Sequence, residues 1–276
     1  MHFSVFRTLR CCLALGALVA ATPAPAGEAS PWSSIKGAAV RLIPGSSGPA
    51  ATRSAGLEIK LEGKWKTYWR YPGDSGVPPV FDWSKSENLG SIAIAWPAPQ
   101  RFDDEGGTTI GYEHGVVLPL AIQAKDPLKP VRLDLALDYA ICETICMPAK
   151  AALTLTLEIG EKVDPSFDDA IAGAQATVPQ PTALGAAGPL SILSVSLDKA
   201  SKPAKLTIET RAGQPVDLFA EGPANWYLPI PQKGATPGSF VLPLEGLPKA
   251  AALSGTALHL TLSTGSGGIE TVYTLP

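Results

Sequence analysis

The sequence predicts an all-β protein made of two β-sandwich domains that are joined by a Pro/Gly/Ala-rich linker. Apolar and polar residues alternate with a period of two in several short runs, which is the pattern of half-buried strands. The 27 glycines and 27 prolines are scattered without a repeat, as expected for turns between short strands. Stretches with the 3.6-residue period of a helix are scarce.

Residues 1–26 are predicted to be a secretory signal peptide. Arg7 and Arg10 precede an apolar run over 11–21, and Ala24-Pro25-Ala26 has the small residues of a cleavage site. The run is shorter than the roughly 20 residues that a membrane-spanning helix needs. An uncleaved membrane anchor is the alternative. We therefore expect a periplasmic protein in an oxidising compartment.

The mature chain is expected to be mildly acidic and free of membrane spans. No other stretch approaches the length of a spanning helix. Without the two arginines of the leader, the 22 basic residues become 20 against 25 acidic ones, so the formal charge is −5. The sequence has no basic stripe of the kind that binds nucleic acid. We predict no nucleic-acid partner.

The first domain is placed at residues 27–160 because its strands can be read from the alternation. Clean alternation runs over 57–61, 132–139 and 151–159. Each such run should bury one face and expose the other to water, as in one sheet of an antiparallel sandwich. A further strand over 116–122 contains Pro119, and a proline inside a strand predicts a position near a sheet edge.

Residues 161–187 are predicted to be a short helix and a linker, which places the second domain at 188–276. Phe167, Ile171 and several alanines suggest the helix, and the following segment is rich in Pro, Gly and Ala. Six further short runs predict the strands of the second domain: 192–197, 205–210, 216–219, 240–244, 257–262 and 270–275.

Cys142 and Cys146 are the only cysteines outside the predicted leader, and they lie between the strands at 132–139 and 151–159. A disulfide between them would close a ring of five residues, for which the loop-entropy estimate is about 2 kcal/mol, against about 4.7 kcal/mol for a 100-residue loop. So small a gain favours a dithiol that opens and closes. A structural disulfide is the alternative. A Cu(I) site with the adjacent Met147 is a third hypothesis.

Five motifs in a fixed order carry a resemblance: Gly63-Lys64-Trp65-Lys66-Thr67-Tyr68-Trp69-Arg70-Tyr71-Pro72-Gly73-Asp74-Ser75-Gly76, Pro78-Pro79-Val80-Phe81-Asp82-Trp83, Trp96-Pro97-Ala98-Pro99, Gly111-Tyr112 and the segment 139–148 with its two cysteines. Together they resemble the N-terminal periplasmic domain of the thiol:disulfide interchange protein DsbD. The three-residue gap between the cysteines is closer to the suppressor-of-copper-sensitivity relatives. The resemblance covers about residues 40–160.

The resemblance implies an immunoglobulin-like sandwich and a function in thiol-disulfide exchange. In that family the cysteine pair receives electrons from one partner and passes them to periplasmic disulfide proteins. We therefore expect a component of a protein-disulfide reductase without a cofactor or metal. Because the sequence has no membrane electron carrier and no C-x-x-C motif, we expect a membrane or thioredoxin-like carrier in trans. The alternative is a copper-tolerance chaperone or adaptor with a structural disulfide.

The resemblance also implies the site. Cys142 is predicted to attack or to form the mixed disulfide, and Cys146 to resolve it, with the Cα atoms about 4.4–6.8 Å apart. A cap loop over 102–112 should cover the pair, although its tip has no aromatic residue. The candidates for a proton relay or for cover in and near this cap are Asp103, Asp104, Glu105, Tyr112 and Tyr68.

Overall fold

The computed structural model describes residues 27–46, 52–104, 107–160, 162–249 and 251–276. The predicted signal peptide and Glu105 lie outside these ranges. Within them the chain forms 19 strands and one α-helix. The protein is therefore nearly all β, as its alternating sequence predicts.

Strands β1 to β11 form two antiparallel sheets around the first hydrophobic core. Their bounds are β1 Ser33–Ile35, β2 Ala38–Pro44, β3 Thr52–Leu61, β4 Lys66–Gly73, β5 Val80–Asp82, β6 Leu89–Ile94, β7 Gln100–Asp104, β8 Gly107–Glu113, β9 Gly115–Ala124, β10 Val131–Cys142 and β11 Cys146–Leu157. One sheet has the order β1-β2-β3-β9-β6, and the other has the order β11-β10-β4-β8-β7, with β5 beside β10. Apolar side chains from both sheets share this core, in which Leu57 and Trp69 are fully buried.

Strand β10 shows how the alternating runs become strands. Leu133, Leu135 and Leu137 are buried, whereas the residues between them are more exposed. β10 and β11 are paired over twelve positions, from Val131 opposite Leu157 to Cys142 opposite Cys146. A slip by one residue would turn the apolar face to water, so the sequence strongly specifies this register.

Strand β9 corrects one prediction. The sequence places the strand containing Pro119 near an edge, but β9 lies between β3 and β6. Strand β6 ends at Ile94, opposite Leu120, and the carbonyl of Pro119 accepts a hydrogen bond from the backbone N–H of Ala95. The proline, which has no N–H to donate, thus lies where the ladder with β6 ends.

Strands β12 to β19 form a second pair of sheets around a separate core. Their bounds are β12 Gln180–Pro181, β13 Ser191–Asp198, β14 Lys205–Arg211, β15 Asp217–Glu221, β16 Gln232–Lys233, β17 Ser239–Pro243, β18 Ala257–Ser263 and β19 Gly268–Thr274. The sheet orders are β12-β19-β18-β15 and β13-β14-β17-β16. The six predicted runs of this half all lie in or overlap these strands. The predicted linker is partly ordered, because β12 pairs with β19.

The helix α1, Pro165–Ala176, packs on the first pair of sheets. It begins after Asp164, whose side chain accepts a hydrogen bond from the backbone N–H of Ser166, a common N-cap arrangement. Ile171 is buried next to Gly56, where a β-carbon would lie 3.2 Å from the isoleucine side chain. The limits of the two domains stay a prediction. No helix among the described residues is long and apolar enough to cross a membrane.

The two pairs of sheets meet at strands β4 and β7. Contacts across this junction include Trp69–Phe219 with ring centroids 5.8 Å apart, Arg70–Glu221 at 2.7 Å and Arg101–Asp217 at 3.1 Å. Phe219 and Ile230 of the second half belong to the first core. The second half therefore packs against β4 and β7 of the sheet that carries the cysteines.

Candidate functional site

The cysteine pair closes the hairpin between β10 and β11. Cys142 is the last residue of β10, Cys146 is the first residue of β11, and a disulfide joins them. They are directly opposite each other, and side chains in such positions lie on the same face of a sheet. Their Cα atoms are 4.0 Å apart, just below the predicted range, because they are opposed in a tight antiparallel pair.

The disulfide lies on the outer face of its sheet. Ile141 and Met147, the neighbours of the two cysteines along their strands, lie opposite each other and pack in or against the core. Successive side chains of a strand point to opposite faces, so the sulfurs point away from the core and away from Met147. The Cu(I) hypothesis therefore lacks its proposed third ligand. Within the described residues, no group of three or more His, Cys, Asp or Glu side chains is placed to hold a metal ion.

A cavity of about 420 Å³ lies over the disulfide. It is lined by side chains from the hairpin β10–β11, from β4 and from the hairpin β7–β8, among them Cys142, Cys146, Lys66, Tyr68, Phe102 and Thr109. These strands are neighbours in one sheet, whose order brings their outer faces together. The cysteines and the predicted cap segment thus share one cavity.

Tyr68 contacts the disulfide directly. Its hydroxyl oxygen lies 3.1 Å from Sγ of Cys146, and its side chain is buried. A disulfide sulfur has no proton, so the phenol is the donor. Of the two predicted tyrosines, Tyr68 is therefore the one placed to act on a sulfur.

The two cysteines differ in their accessibility. Cys146 is exposed and begins β11, which is an edge strand of the sheet. Cys142 is half-buried on β10, which has neighbours on both sides. Which sulfur a partner attacks stays a prediction: the sequence favours Cys142, whereas Cys146 is the more exposed residue.

The described residues of the predicted cap loop, 102–104 and 107–112, lie on the paired strands β7 and β8 rather than in a loop. Strands β7 and β8 are antiparallel, and Asp103 accepts a hydrogen bond of 2.7 Å from the hydroxyl of Thr108 across the hairpin. Asp104 lies at the end of β7. Phe102 faces the cavity, and the ammonium group of Lys66 lies 4.7 Å from the centroid of its ring. The strand thus supplies the aromatic side chain that the tip lacks.

Tyr112 does not line the cavity over the disulfide. It packs in the core, and its hydroxyl donates a hydrogen bond of 2.9 Å to the carbonyl of Pro97. Burial raises its pKa well above that of an ordinary tyrosine. Tyr112 lies opposite Thr67 on β4, and so on the inner face, whereas Tyr68 is one residue further along that strand and on the outer face.

Lys66 is a residue of the site that the sequence reasoning missed. It lies opposite Cys142 on β4 and lines the cavity with both cysteines. The alternation of Lys66 and Tyr68 with Thr67 and Trp69 indicates that the first two share a face. What the sequence does not contain is the register between β4 and β10, which brings that face beside the cysteines.

Comparison with known proteins supports the family. Residues 39–158 match the family described as "Thiol:disulfide interchange protein DsbD, N-terminal". This segment belongs to the DsbD N-terminal family. The cysteine hairpin, Tyr68 and the β7–β8 hairpin all lie inside it. No curated protein sequence matches the chain significantly.

Among solved structures, the chain is similar to the N-terminal periplasmic domain of ScsB from Proteus mirabilis. The match covers 91% of this chain and 99% of that one, with 24% sequence identity and a TM-score of 0.70. At this identity the match establishes the fold. A match to tandem Ig repeats of Dlar has 10% identity and a TM-score of 0.21, and we base no argument on it.

The family match of residues 39–158 and a cysteine pair at disulfide distance together indicate a thiol-disulfide exchange module.

Proposed function

We propose that this chain is a periplasmic thiol-disulfide exchange module that passes electrons through the Cys142/Cys146 pair. A membrane or thioredoxin-like carrier supplies electrons in trans, and periplasmic disulfide proteins receive them. The observation that carries the proposal is the placement of the disulfide on the outer face, in a cavity with a hydroxyl donor 3.1 Å from one sulfur. A structural disulfide has no need of such a cavity.

The geometry supports a simple exchange. A thiolate of the reduced partner attacks Sγ of Cys146, a mixed disulfide forms, and Cys142 leaves as a thiolate. The second partner thiol, as its thiolate, then attacks the partner's own sulfur and releases Cys146 as a thiolate. The module gains two electrons and the partner becomes a disulfide. The same steps in reverse deliver the electrons to an oxidised protein.

The small contribution of the disulfide to the stability of the domain also supports a function in exchange. The ring closed by the pair is small, so its loop-entropy contribution is only about 2 kcal/mol. Strands β10 and β11 already pair over twelve positions without help from the sulfurs. The domain therefore has little structural need of the bond, which leaves it available for exchange.

A redox titration tests the proposal. The oxidised protein is equilibrated in buffers of defined potential, and the free thiols are counted by alkylation and mass. An exchange module should titrate near thioredoxin-like or periplasmic carriers, at about −120 to −270 mV, whereas a structural bond should remain closed above about −300 mV. A pair that stays oxidised over the whole carrier range contradicts the proposal. The double variant Cys142→Ala/Cys146→Ala is the control for non-specific alkylation.

Trapping in the periplasm identifies the partner and the attacked sulfur. If Cys146 is the attacked sulfur, Cys142→Ala should accumulate mixed disulfides, because the thiol that resolves them is missing. If the sequence-based assignment is right, Cys146→Ala should accumulate them instead. The proteins trapped by each variant are identified by mass. Export itself is tested by sequencing the N-terminus of the periplasmic form, which should begin at Gly27 if the leader is cleaved as predicted.

A copper-tolerance chaperone or adaptor with a structural disulfide is the second candidate, and it rests on the resemblance. The chaperone predicts that the reduced protein binds Cu(I) through its two thiolates. Titration of the reduced protein with Cu(I) and a competing chelator separates the two candidates. Tight binding of Cu(I) by the reduced protein would favour the chaperone, whereas a pair that stays oxidised over the carrier range, with no tight Cu(I) binding, would favour the adaptor with a structural disulfide.

A further inference from the structure

We propose that Lys66 stabilises the thiolate of Cys142 and so sets the reactivity of the pair. This inference rests on the proposed exchange function and adds to it a residue that controls the leaving thiol. Lys66 and Cys142 belong to a row of four residues that lie side by side across the sheet.

The row crosses four neighbouring strands. Cys146 lies opposite Cys142, Cys142 lies opposite Lys66, and Lys66 lies opposite Glu113. Directly opposed side chains share a face, with β-carbons about 4.5–5.5 Å apart. Lys66 is therefore the lateral neighbour of Cys142 on the side away from the disulfide.

The ammonium group of Lys66 lies against Phe102, a residue that also lines the cavity. It lies 4.7 Å from the centroid of the Phe102 ring, and both residues line the cavity with the cysteines. A cation–π contact of this kind orients the charge. Lys66 and Cys142 are both half-buried, so their interaction is screened less than one in open water.

The charge acts when the disulfide opens. As a partner thiolate bonds to Sγ of Cys146, the S–S bond breaks and its electron pair leaves on Sγ of Cys142. A nearby cation lowers the pKa of a thiol, and a thiol with a lower pKa leaves faster. In the reverse direction the Cys142 thiolate attacks the mixed disulfide at Cys146 and expels the partner thiolate.

Glu143 opposes this effect, and Glu113 lies farther along the row. Glu143 follows Cys142 and lines the same cavity, where a carboxylate disfavours a thiolate. Glu113 is on the far side of Lys66 from Cys142. Asp103 is on β7, bonded to Thr108. Lys66 is the cation that lines the cavity among the described residues.

The test measures the Cys142 thiol in a Cys146→Ala background, by the rate of alkylation with iodoacetamide as a function of pH. Lys66→Met should move the pH midpoint upward and lower the rate at a fixed pH below the midpoint about tenfold, the lower end of what a nearby opposite charge produces. Lys66→Arg should restore most of the rate. The matched control is Lys64→Met, which removes the same charge from the exposed turn before β4.

An unchanged midpoint in a folded Lys66→Met protein would overturn the proposal. Circular dichroism checks the fold, and Lys66→Gln repeats the test if the methionine variant is unstable. If Lys66 only anchors Phe102, its loss changes the exposure of the cavity and leaves the pH midpoint in place, which also overturns the proposal.

The disulfide of the otherwise unmodified chain gives a second measurement. At a pH above the thiol midpoint of both proteins, a tenfold loss of thiolate stabilisation corresponds to a midpoint potential about 30 mV more negative in Lys66→Met. Failure of the exchange function is a separate result, because it would appear in the parent protein as a bond that does not open in the carrier range.

Discussion

Arg70→Met should loosen the junction between the two pairs of sheets. The guanidinium group of Arg70 donates to Glu221 through Nε and Nη2, at 3.0–3.1 Å and 2.7 Å, and it also contacts Glu270. The three side chains are only 18–27% exposed. Methionine keeps much of the aliphatic volume and leaves two half-buried carboxylates without the arginine between them and with solvent screening alone to replace it.

The loss of stability expected for Arg70→Met lies between the values for exposed and for buried ion pairs. Exposed ion pairs contribute about 0.2–1 kcal/mol, whereas breaking a buried pair costs about 3–5 kcal/mol. A half-buried arginine with two carboxylate partners belongs between them, so we expect a loss of about 2–3 kcal/mol in the free energy of unfolding. The pKa of Arg70 is raised: burial alone would lower it, but Glu221 and Glu270 outweigh burial.

Denaturant unfolding, followed by tryptophan fluorescence, measures this loss. The matched control is Arg132→Met, because Arg132 also has two carboxylate neighbours, at 3.6 and 3.3 Å, but is 40% exposed and lies away from the junction. The control should lose less than about 1 kcal/mol. The reasoning is refuted if both variants lose the same amount, since burial at the junction would then contribute nothing.

Three further predictions concern the site and the junction. Tyr68→Phe removes the hydroxyl donor from the disulfide and should slow exchange with a thioredoxin-like partner about fivefold, the equivalent of one hydrogen bond, in stopped-flow measurements; an unchanged rate would remove Tyr68 from the mechanism. Burial would raise the pKa of Glu270, but Arg70 outweighs burial and lowers the pKa below 4.5. The ionised Glu270 therefore stabilises the fold above pH 4.5, and this stabilisation is lost as the pH falls. Glu270→Gln should flatten this part of a curve of stability against pH. Gly107→Ala should destabilise the protein by about 1–3 kcal/mol in thermal unfolding, because φ is +116° and a β-carbon would lie 2.7 Å from a serine hydroxyl; a stability equal to wild type would show that the hairpin adjusts freely.

Local patterns predict the strands of this fold well. The alternation over 132–139 marks β10 because each side chain there is either in the core or in water, and the two classes of residue differ in hydrophobicity. The edge position predicted from Pro119 is wrong because the sequence shows only that one backbone N–H is missing from the strand. Whether that gap falls within a ladder or at its end depends on where β6 stops, which is a property of another segment.

The site is predicted in part for the same physical reason. Cys142, Cys146 and Tyr68 could be selected from motifs, and they do lie together. Tyr112, which was also predicted to cover the cysteines, lies elsewhere because its pairing with Thr67 places it on the core face of the sheet. Lys66 becomes part of the site only through the pairing of β4 with β10, a contact between segments about 75 positions apart.

The cysteines are the last of the twelve residue pairs between β10 and β11. Eleven other positions remain paired when the sulfurs separate, so the backbone should keep its course in both redox states. Oxidised and reduced forms should present almost the same surface to a visiting protein. A partner would then distinguish them by the chemistry of two atoms rather than by shape, and after transfer it would be released because the exchangeable bond has moved to the other protein.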